Sequence, residues 1–404
     1  GISGVGMVRT NYSPHVGAAY AAEAVRKGVT RTPVFAVQRI ITPDEAEGIL
    51  QSGQADAITL VRALIADPDW VRKAQEGKPE TIRLCTGSNQ GCLTNLMMGA
   101  PINCVQNPAV GREEFLGNEL FVRTSSPKRV VVVGGGHAGL EAAWVAAARG
   151  HQVTLLEKSD RLGGMIRLAE QLPGRAELGD FANWRAAECE RQGVDIRLGV
   201  TADADAVLAL QPDAVVVATG GRATLSGSSY YHPMPVAGSE QDFVFDHVTA
   251  LEIALSDDAD RLGDRVVILD GVGHIEAIGI AELVASQGRE VHLVTSLPSP
   301  IALDFETSSV ALPRAVHAGA TWRPNTMIGM IGDHDVMLID VLSQAAETLA
   351  DVSSVIVRTH GSPVDDLYHA LLGKVDSVVR IGDSVAVRYC DRAIYDGHTV
   401  GREL

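Results

Sequence analysis

The stretch Arg129–Lys158, RVVVVGGGHAGLEAAWVAAARGHQVTLLEK, decides the fold class of this chain. An apolar strand leads directly into a glycine-rich turn, an alanine-rich helix follows, and a second apolar strand ends at Glu157. Strand, helix and strand in this order form a βαβ unit, which is the building block of parallel α/β sheets. The sequence therefore predicts an α/β protein with a parallel sheet at its centre.

The turn of this unit has the spacing G-x-G-x-x-G. Gly134 allows a tight turn, Gly136 lets the backbone approach a pyrophosphate, and Gly139 permits close packing of the helix on the strand. The helix N-terminus adds a partial positive charge, and Glu157 stands where a carboxylate accepts hydrogen bonds from ribose hydroxyls. The pattern predicts a site for FAD or ADP, with a plain tight turn as the alternative. The predicted site residues here are Gly134, Gly136, His137, Ala138, Gly139, Glu157 and Lys158.

Three later turns extend this site. They are Arg161-Leu162-Gly163-Gly164, Ala218-Thr219-Gly220-Gly221 at the end of a strand, and Gly382-Asp383 before a helix expected from about Arg392. Each alone indicates only a turn. Together, in this order, they resemble the pattern of FAD-dependent pyridine-nucleotide oxidoreductases, in which the Gly-Asp carboxylate meets the ribitol. The residues implied to bind the cofactor are Arg161, Gly164, Ala218, Thr219, Gly220, Gly382 and Asp383.

A second βαβ-like unit, a distant repeat of the first, begins at Arg265. Its turn places Glu276 at the third glycine position, and Asp270 ends the strand before it. A carboxylate about 5 Å from a phosphate, at an effective dielectric of about 20, repels it by roughly 3 kcal/mol. That repulsion lowers affinity by more than about 100-fold. The unit is therefore interpreted as a degenerate nucleotide domain with a structural role.

Composition restricts the classes of partner. The chain of 404 residues is long enough for two to three domains. Its net charge of −16 argues against nucleic acid or an anionic membrane. No apolar run reaches the roughly 18 residues of a spanning helix, and the N-terminus lacks a signal-peptide pattern. We expect a soluble, cytoplasmic protein.

Residues 1–80 alternate between predicted strands and helices. The strands are Thr32–Val37 and Ala55–Val61, and each is followed by a helix. This spacing is typical of parallel α/β architecture. Two parallel strands cannot bury both of their faces, so another part of a protein must complete the sheet.

Three of the five cysteines, Cys85, Cys92 and Cys104, lie within twenty residues. In a cytoplasmic protein such clustering indicates metal or redox chemistry more often than disulfides. With the runs RALIADPDW, IRLCTGSNQGC and CVQNPAVGREE, the segment resembles the trimethylamine dehydrogenase and 2,4-dienoyl-CoA reductase family. Those enzymes join an FMN-bearing β/α barrel of the old-yellow-enzyme type to an iron–sulfur cluster and two nucleotide-binding-like domains. The resemblance covers essentially the whole chain, but only the last quarter or so of the barrel.

The resemblance implies a cluster site with one departure. The family pattern is Cys-x2-Cys-x3-Cys-x11-Cys, and this chain has Ser88 at the second position. Since a serine alkoxide is harder and more basic than a thiolate, it binds iron less well. The implied ligands are Cys85, Ser88, Cys92 and Cys104, holding a [4Fe–4S] cluster or a three-iron form. Three buried cysteines without metal are the alternative, and zinc is disfavoured because no histidine lies in the run.

The resemblance also implies FMN, with its phosphate at the loops after the last two barrel strands. These loops carry Arg39 and Arg62, which agrees with the general phosphate site of β/α barrels. The family usually has glycine where Gln38 stands, which puts that backbone contact in doubt. Solvated surface charges are the alternative for both arginines. For Tyr12 and His15, solvation in a loop is favoured over contact with the flavin.

The predicted domains follow from these motifs. They are the last part of an FMN barrel (1–80), an iron–sulfur segment (81–125), an FAD- or ADP-binding Rossmann-like domain (126–225 and 353–404), and a degenerate NAD-binding-like domain inserted in it (226–352).

The implied enzyme is an oxidoreductase, amine dehydrogenase- or demethylase-like, that passes electrons from FMN through the cluster to a protein acceptor such as an electron-transferring flavoprotein. The alternatives are an NAD(P)H-dependent 2,4-dienoyl-CoA or enoate reductase and a non-catalytic electron-transfer subunit.

The family's catalytic acid and base groups lie on earlier barrel strands that are absent here. The sequence therefore leaves the small-molecule substrate and the catalytic residues unassigned. We expect a barrel-completing partner chain or a missing N-terminal segment, and an oligomer.

Overall fold

The computed structural model describes residues 8–230 and 232–404. Its first part alternates helices and strands, and strand β1 pairs in parallel with β2 through Phe35 opposite Ala57 and Ala36 opposite Ile58. Both strands are two residues long, shorter than the predicted ranges. The elements are α1 (Ala19–Gly28), β1 (Phe35–Ala36), α2 (Pro43–Gln51), β2 (Ala57–Ile58), α3 (Arg62–Ala66) and α4 (Trp70–Gln75).

Local sequence explains why α2 begins where it does. The Thr42 side chain accepts from the backbone N–H of Glu45, and the Glu45 carboxylate accepts from the backbone N–H of Thr42, which is a capping box. Pro43 occupies the first turn, where its missing N–H costs nothing. The helix then buries Ala46 and Ile49 against the barrel part.

The cysteine segment is mostly irregular, as predicted, and leads into a parallel sheet in the order β17-β6-β3-β4-β5 among the described residues. From the cysteine segment onward, the elements in chain order are α5 (Leu93–Met97), α6 (Glu113–Leu116), β3 (Arg129–Val133), α7 (His137–Ala148), β4 (Gln152–Leu156), α8 (Ile166–Ala169), α9 (Gly179–Arg191), β5 (Asp195–Arg197), α10 (Ala204–Leu208), β6 (Ala214–Val217) and β7 (Gly221–Arg222). The chain returns to it through β16 (Ser362–Pro363), α14 (Asp366–Leu371), β17 (Ser377–Arg380) and α15 (Cys390–Glu403).

The second sheet is also parallel, in the order β11-β10-β9-β15-β8 within the described ranges. Helices cover one face, and the antiparallel strands β12, β13 and β14 pack on the other through Ile328 and Leu338. The elements are β8 (Val244–Asp246), α11 (His247–Ala254), β9 (Arg265–Asp270), α12 (Ile275–Ser286), β10 (Glu290–Val294), α13 (Phe305–His317), β11 (Ala320–Arg323), β12 (Thr326–Ile331), β13 (Val336–Asp340), β14 (Ala346–Leu349) and β15 (Ser354–Arg358).

This topology confirms the predicted fold class and corrects one boundary. Strand β7 pairs with β16 in a separate two-stranded sheet, so the chain leaves the first domain and returns to it at the same place. Strand β15, however, pairs with β9 and β8. The boundary at residue 352 is therefore wrong, because the inserted unit continues through Arg358. The last helix begins at Cys390, two residues before the predicted start.

Two groups predicted to be solvated hold the barrel part against the two nucleotide-binding-like domains. The His15 ring lies between Glu45 (Nδ1 to Oε1, 2.5 Å) and Glu177 (Nε2 to Oε1, 3.2 Å). The Tyr12 ring lies under the Arg314 guanidinium at 5.2 Å and against Gly174. The loop-solvation interpretation is therefore wrong for both residues.

Among the residues that the structure describes, no helix is long and apolar enough to cross a membrane.

The His15 contacts predict a pH-dependent stability. Hydrogen bonds to Glu177 and Glu45 raise the pKa of His15 from 6.5 to about 9, although burial opposes the rise. Because the folded pKa is the higher one, the stabilisation is complete below pH 6.5 and is lost as the pH rises through about 9. We expect His15→Gln to lower the melting temperature at pH 6 and to match the wild type near pH 10.

The control is His369→Gln, which removes an exposed histidine that also faces a carboxylate, Asp365. Thermal unfolding followed by circular dichroism between pH 6 and 10 measures both variants. A His15→Gln deficit that stays constant over this range would show that its charge has no part in the stability.

Candidate functional site

The glycine-rich turn after β3 has the geometry of a nucleotide-binding turn. Gly134 has a φ of 109°, and a Cβ there would lie 2.2 Å from the carbonyl oxygen of Ala218. A Cβ on Gly139 would lie 1.9 Å from the carbonyl oxygen of Gly134. A Cβ on Gly136 would meet no described heavy atom within 4 Å. Two glycines are thus required by the fold itself, whereas Gly136 faces open space in front of the helix.

The other predicted turns converge on this one. Gly163 N–H donates to the carbonyl oxygen of Gly135 at 2.8 Å, and a Cβ on Gly164 would lie 3.1 Å from the Gly136 Cα. A Cβ on Gly382 would lie 2.8 Å from the Ala138 Cβ. A Cβ on Gly221 would lie 3.6 Å from the Asp383 Cβ, which joins the turns after β6 and β17. Segments far apart in the sequence therefore meet around the start of α7.

Glu157 is buried beside the turn. One carboxylate oxygen accepts from Gly135 N–H at 2.6 Å, and the other accepts from Ser159 N–H at 2.8 Å. A carboxylate has about four acceptor positions, so a ribose hydroxyl can still bind here. The contact with ribose remains a prediction, and so do contacts from Lys158 and Arg161, which are exposed at the rim.

Polar side chains around the glycine-rich turn are held by other parts of the chain. Asp383 accepts from Arg388 N–H at 3.0 Å, and burial raises the pKa of Asp383 despite that bond. The Thr219 hydroxyl donates to the carbonyl oxygen of Val364. His137 meets the edge of the Phe181 ring at 5.6 Å, and burial lowers the pKa of His137 to about 3, so the imidazole is neutral. The sequence motif did not reveal these partners.

The three clustered cysteines are half-buried free thiols that lie near one another. Burial raises the pKa of Cys104 to about 12, and the neighbouring Cys85 adds to the rise; burial and Cys85 likewise raise the pKa of Cys92. Cys104 sulfur accepts from Gln106 N–H at 3.4 Å, and Cys92 S–H lies 3.6 Å from the carbonyl oxygen of Asn89.

The donor set of the cysteine segment consists of three soft thiols. Over residues 8–230 and 232–404, no three His, Cys, Asp or Glu side chains converge on one metal position. A cubane cluster takes one thiolate per iron atom, so its ligands stand farther apart than those of a single ion. Soft thiolates also favour iron–sulfur clusters. By the chemistry of their thiols these residues fit a cluster, and the half-buried Ser88 lies in the same loop.

Both predicted phosphate-binding arginines reach the cysteine loop. Arg39 is buried, donates from Nε to the carbonyl oxygen of Ser13 at 2.8 Å, and pairs with Glu177. Its Nη1 has no hydrogen-bond partner among the described atoms and faces Gly87. Arg62 Nη1 donates to Asn89 Oδ1 at 2.7 Å. The surface-charge alternative is therefore wrong for Arg39, and an unpaired buried donor is compatible with a bound phosphate.

The second glycine turn is occupied by the chain's own carboxylates. Asp270 Oδ1 accepts from Val272 N–H at 3.0 Å and from Gly273 N–H at 2.8 Å. Glu276 binds His274 Nδ1 at 2.6 Å and lies 3.6 Å from Arg358 Nη2. The N–H groups that would hold a phosphate are thus already used. The sequence indicated the two carboxylates. No local sequence pattern indicated the contact between Glu276 and Arg358.

A cleft that sequence reasoning missed lies between the cysteine segment and the second turn. It measures about 380 Å³, and its lining includes Gln90, Asn95, His274, His360 and Tyr389. The His274 and Tyr389 rings pack at 4.8 Å between centroids. These residues come from four distant segments, so no spacing in the sequence could reveal them.

Two family models together cover most of the chain. The model described as pyridine nucleotide-disulphide oxidoreductase matches residues 80–206 and 128–381. The model described as NADH:flavin oxidoreductase / NADH oxidase family matches residues 5–81.

Several proteins share both parts. The chain is 34% identical over 389 residues to the NADH oxidase of Thermoanaerobacter brockii, covering 95% of this chain and 57% of that protein. It is 32% identical over 414 residues to the N,N-dimethylglycine/sarcosine dehydrogenase of Chromohalobacter salexigens, covering 94% and 58%. The structure of 6-hydroxypseudooxynicotine amine oxidase from Pseudomonas geniculata N1 matches with a TM-score of 0.91 at 29% identity, covering 98% and 60%. The chain thus spans less than two thirds of these relatives.

The first turn predicts opposite effects for two glycine variants. Gly136→Val places a side chain in open space where a pyrophosphate would lie, so we expect a stable protein without bound adenine nucleotide. Gly139→Val drives a side chain into the Gly134 carbonyl, so we expect loss of stability as well. Gly48→Val, at an open helical glycine in the barrel part, is the control.

Nucleotide released by acid from each purified variant is quantified by chromatography, and melting temperatures are measured alongside. Gly136→Val protein that retained its full complement of adenine nucleotide would place the ligand elsewhere.

Proposed function

The chain belongs to the pyridine nucleotide-disulphide oxidoreductases, within the trimethylamine dehydrogenase and 2,4-dienoyl-CoA reductase family, and we propose that it is the electron-transferring part of an iron–sulfur flavoprotein oxidoreductase. The proposed reaction is dehydrogenation of a small amine, with electrons leaving FMN through a [4Fe–4S] cluster. Two relatives with amine-oxidising names, the dimethylglycine/sarcosine dehydrogenase and the 6-hydroxypseudooxynicotine amine oxidase, support this choice.

The proposal depends on the contact between Arg62 and the cysteine loop. Arg62 lies at the start of α3, directly after the second barrel strand, and its guanidinium donates to Asn89 in the cysteine loop. Arg39, which follows the first barrel strand, also touches this loop at Gly87. The ends of the barrel strands, where β/α barrels bind flavin phosphate, therefore adjoin the loop that carries the thiols. Such adjacency supports electron passage between two redox groups in this chain.

The chain's own residues have separate tasks in this proposal. Cys85, Cys92 and Cys104 would hold the cluster as thiolates, and Ser88 would face the fourth iron. Because burial raises the pKa of Cys92 and of Cys104, these two free thiols are protonated, so cluster assembly must release their protons. Arg62 would neutralise charge on the FMN phosphate, and Arg39, whose charge is paired with Glu177, would donate a hydrogen bond to it from Nη1. When bound, FMN accepts two electrons and the cluster carries them singly.

The glycine turn at the start of α7 would bind FAD or ADP. The open space at Gly136 and the adjoining turns at Gly164 and Gly382 support an extended dinucleotide-type ligand. The half-buried Asp383, on the turn after β17, would accept from a ribitol or ribose hydroxyl. We place the protein in the cytoplasm, where the five free thiols stay reduced.

The barrel strands missing here must come from a preceding segment or from a partner chain. Strands β1 and β2 leave Phe35, Val37 and Val61 exposed on the described structure, and these apolar side chains would be covered by further strands. Substrate would bind in the completed barrel. Intact mass analysis of the native protein, with its flavin content, identifies the source of these strands.

We propose a protein as the electron acceptor, because Asp270 and Glu276 occupy the second glycine turn. The rival is an NAD(P)H-dependent enzyme, and the likeness to an NADH oxidase favours it as the second candidate. Stopped-flow mixing with NADH and NADPH distinguishes the two. We expect no flavin bleaching on the millisecond scale at micromolar nucleotide; rapid bleaching would establish the rival.

The cluster is tested at Ser88. With three thiolates and one serine, we expect an oxygen-sensitive cluster that is partly converted to a three-iron form. Ser88→Cys should retain four irons and raise the reduction potential, because a thiolate shares more charge with iron than an alkoxide does. Iron and sulfide content and electron paramagnetic resonance of anaerobically purified protein measure both.

Ser13→Cys serves as the control, because it adds a thiol to a neighbouring loop outside the cysteine segment. Identical spectra and iron counts in wild type and Ser88→Cys would mean that Ser88 only shapes a turn.

A further inference from the structure

A buried ion pair lies behind the cysteine segment. Arg185 on α9 and Glu141 on α7 both have fully buried side chains, and Arg185 Nε donates to Glu141 Oε2 at 2.7 Å. Burial opposes ionisation of Glu141, but Arg185 and His398 outweigh it and lower the pKa of Glu141 to about 2. His398 Nδ1 lies 2.9 Å from Glu141 Oε1. Glu141 is therefore charged inside the protein.

The remaining donors of Arg185 reach one residue of the cysteine segment. Nη1 donates to the side-chain oxygen of Gln106 at 2.7 Å, and Nη2 donates to the Gln106 backbone carbonyl at 2.9 Å. The guanidinium also donates to the carbonyl oxygen of Phe181 at 2.9 Å, so its orientation is fixed from three sides. Because the donors of arginine form a rigid planar fork, they fix the position of Gln106 as well.

Gln106 in turn contacts the Cys104 sulfur and the backbone of the residue before Cys85. Its backbone N–H donates to the Cys104 sulfur at 3.4 Å. Its side-chain amide donates to the carbonyl oxygen of Leu84 at 3.2 Å, immediately before Cys85. Gln106 is almost completely buried, so water cannot replace these bonds. One glutamine therefore links Arg185 to the Cys104 sulfur and to the backbone that leads into Cys85.

We propose that Arg185 is a positioning residue for the iron–sulfur cluster, acting through Gln106 on Cys85 and Cys104. This inference rests on the proposed function, since it requires a cluster at these thiols. Hydrogen bonds to cluster sulfurs favour the more negative, reduced state and raise the reduction potential. Arg185 thus sets the potential by holding the Gln106 N–H on the Cys104 sulfur.

A purely structural role makes a different prediction. A buried ion pair adds little stability relative to apolar residues of the same size, whereas removing one partner is strongly destabilising. The test therefore replaces both charges at once, in Arg185→Gln/Glu141→Gln. This double variant leaves the net charge unchanged, so a shift in potential reports the geometry of the thiol contacts rather than the loss of a charge.

The matched control is Arg314→Gln/Glu282→Gln. This pair joins α13 to α12 in the second domain through two hydrogen bonds, of 2.5 and 3.2 Å. Gln106→Leu is a second test variant, which keeps the Arg185–Glu141 pair but removes the amide contacts with Arg185 and Leu84. All proteins are purified anaerobically as the full chain with its cofactors.

Redox titration followed by electron paramagnetic resonance gives the potential, and iron and sulfide assays give the occupancy. At the midpoint reduction potential of the wild-type cluster, we expect the ratio of reduced to oxidised cluster to fall about tenfold in the double variant and in Gln106→Leu. That change equals about 59 mV for a one-electron couple. The control should keep the wild-type potential even where its melting temperature falls. Loss of iron in both test variants, with full occupancy in the control, would also support the positioning role.

Two outcomes overturn the inference, and they differ in what they mean for the proposed function. Unchanged potentials and iron content in both test variants, with a cluster in the wild type, would reduce Arg185 to a structural residue and leave the proposed function intact. A wild-type protein without iron and sulfide would overturn the proposed function and the inference together.

Discussion

The close approach of helix α7 to its neighbours is the constraint on which the rest of the structure depends. On one side, Gly139 lets the helix lie against the turn at Gly134, which opens the N-terminus of α7 toward a ligand. On the other side, α15 packs along α7 through two small residues, Gly397 and Gly401, whose added Cβ atoms would fall 2.3 Å from the Ala138 carbonyl oxygen and 2.7 Å from the Val145 Cβ. The same helix carries Glu141. A shift of α7 would therefore disturb the nucleotide turn and the ion pair behind the cysteines together.

Features set by neighbouring residues could be predicted from the sequence. The glycine turn at Gly134, the capped start of α2 and the cysteine spacing are local patterns, and the structure has the strand–turn–helix order that they indicate. Strand β15 shows the limit, because an apolar run such as Ser354–Arg358 fits either parallel sheet equally well. Only pairing with β9 decides the choice, and pairing partners distant in sequence leave no local signal. The burial of Arg39 depends likewise on Glu177, which lies 138 residues away.

The two βαβ units share one topology but differ in where a carboxylate lies at the glycine-rich turn. In the first, the carboxylate at the turn is Glu157, which approaches Gly135 from the end of the second strand and leaves the helix N-terminus open. In the second, Asp270 ends the first strand and accepts from two consecutive N–H groups of the turn. Since a helix N-terminus attracts one anion strongly, an internal carboxylate there competes with any phosphate. The position of a single acid thus separates a binding turn from a self-capped one.

Several arginines lie around the cysteine segment, although the chain as a whole is acidic. The chain has 34 basic and 50 acidic residues, yet four arginines (Arg39, Arg62, Arg83 and Arg185) surround this segment. Arg39 and Arg185 are neutralised by Glu177 and Glu141, whereas Arg62 and Arg83 form no ion pair within the described ranges. Arg62 and Arg83 are half-buried beside this segment, where attraction to an anion is stronger than at the surface. Thiolate-held iron and a flavin phosphate are both anionic, so either group would offset the cost of gathering these guanidinium groups.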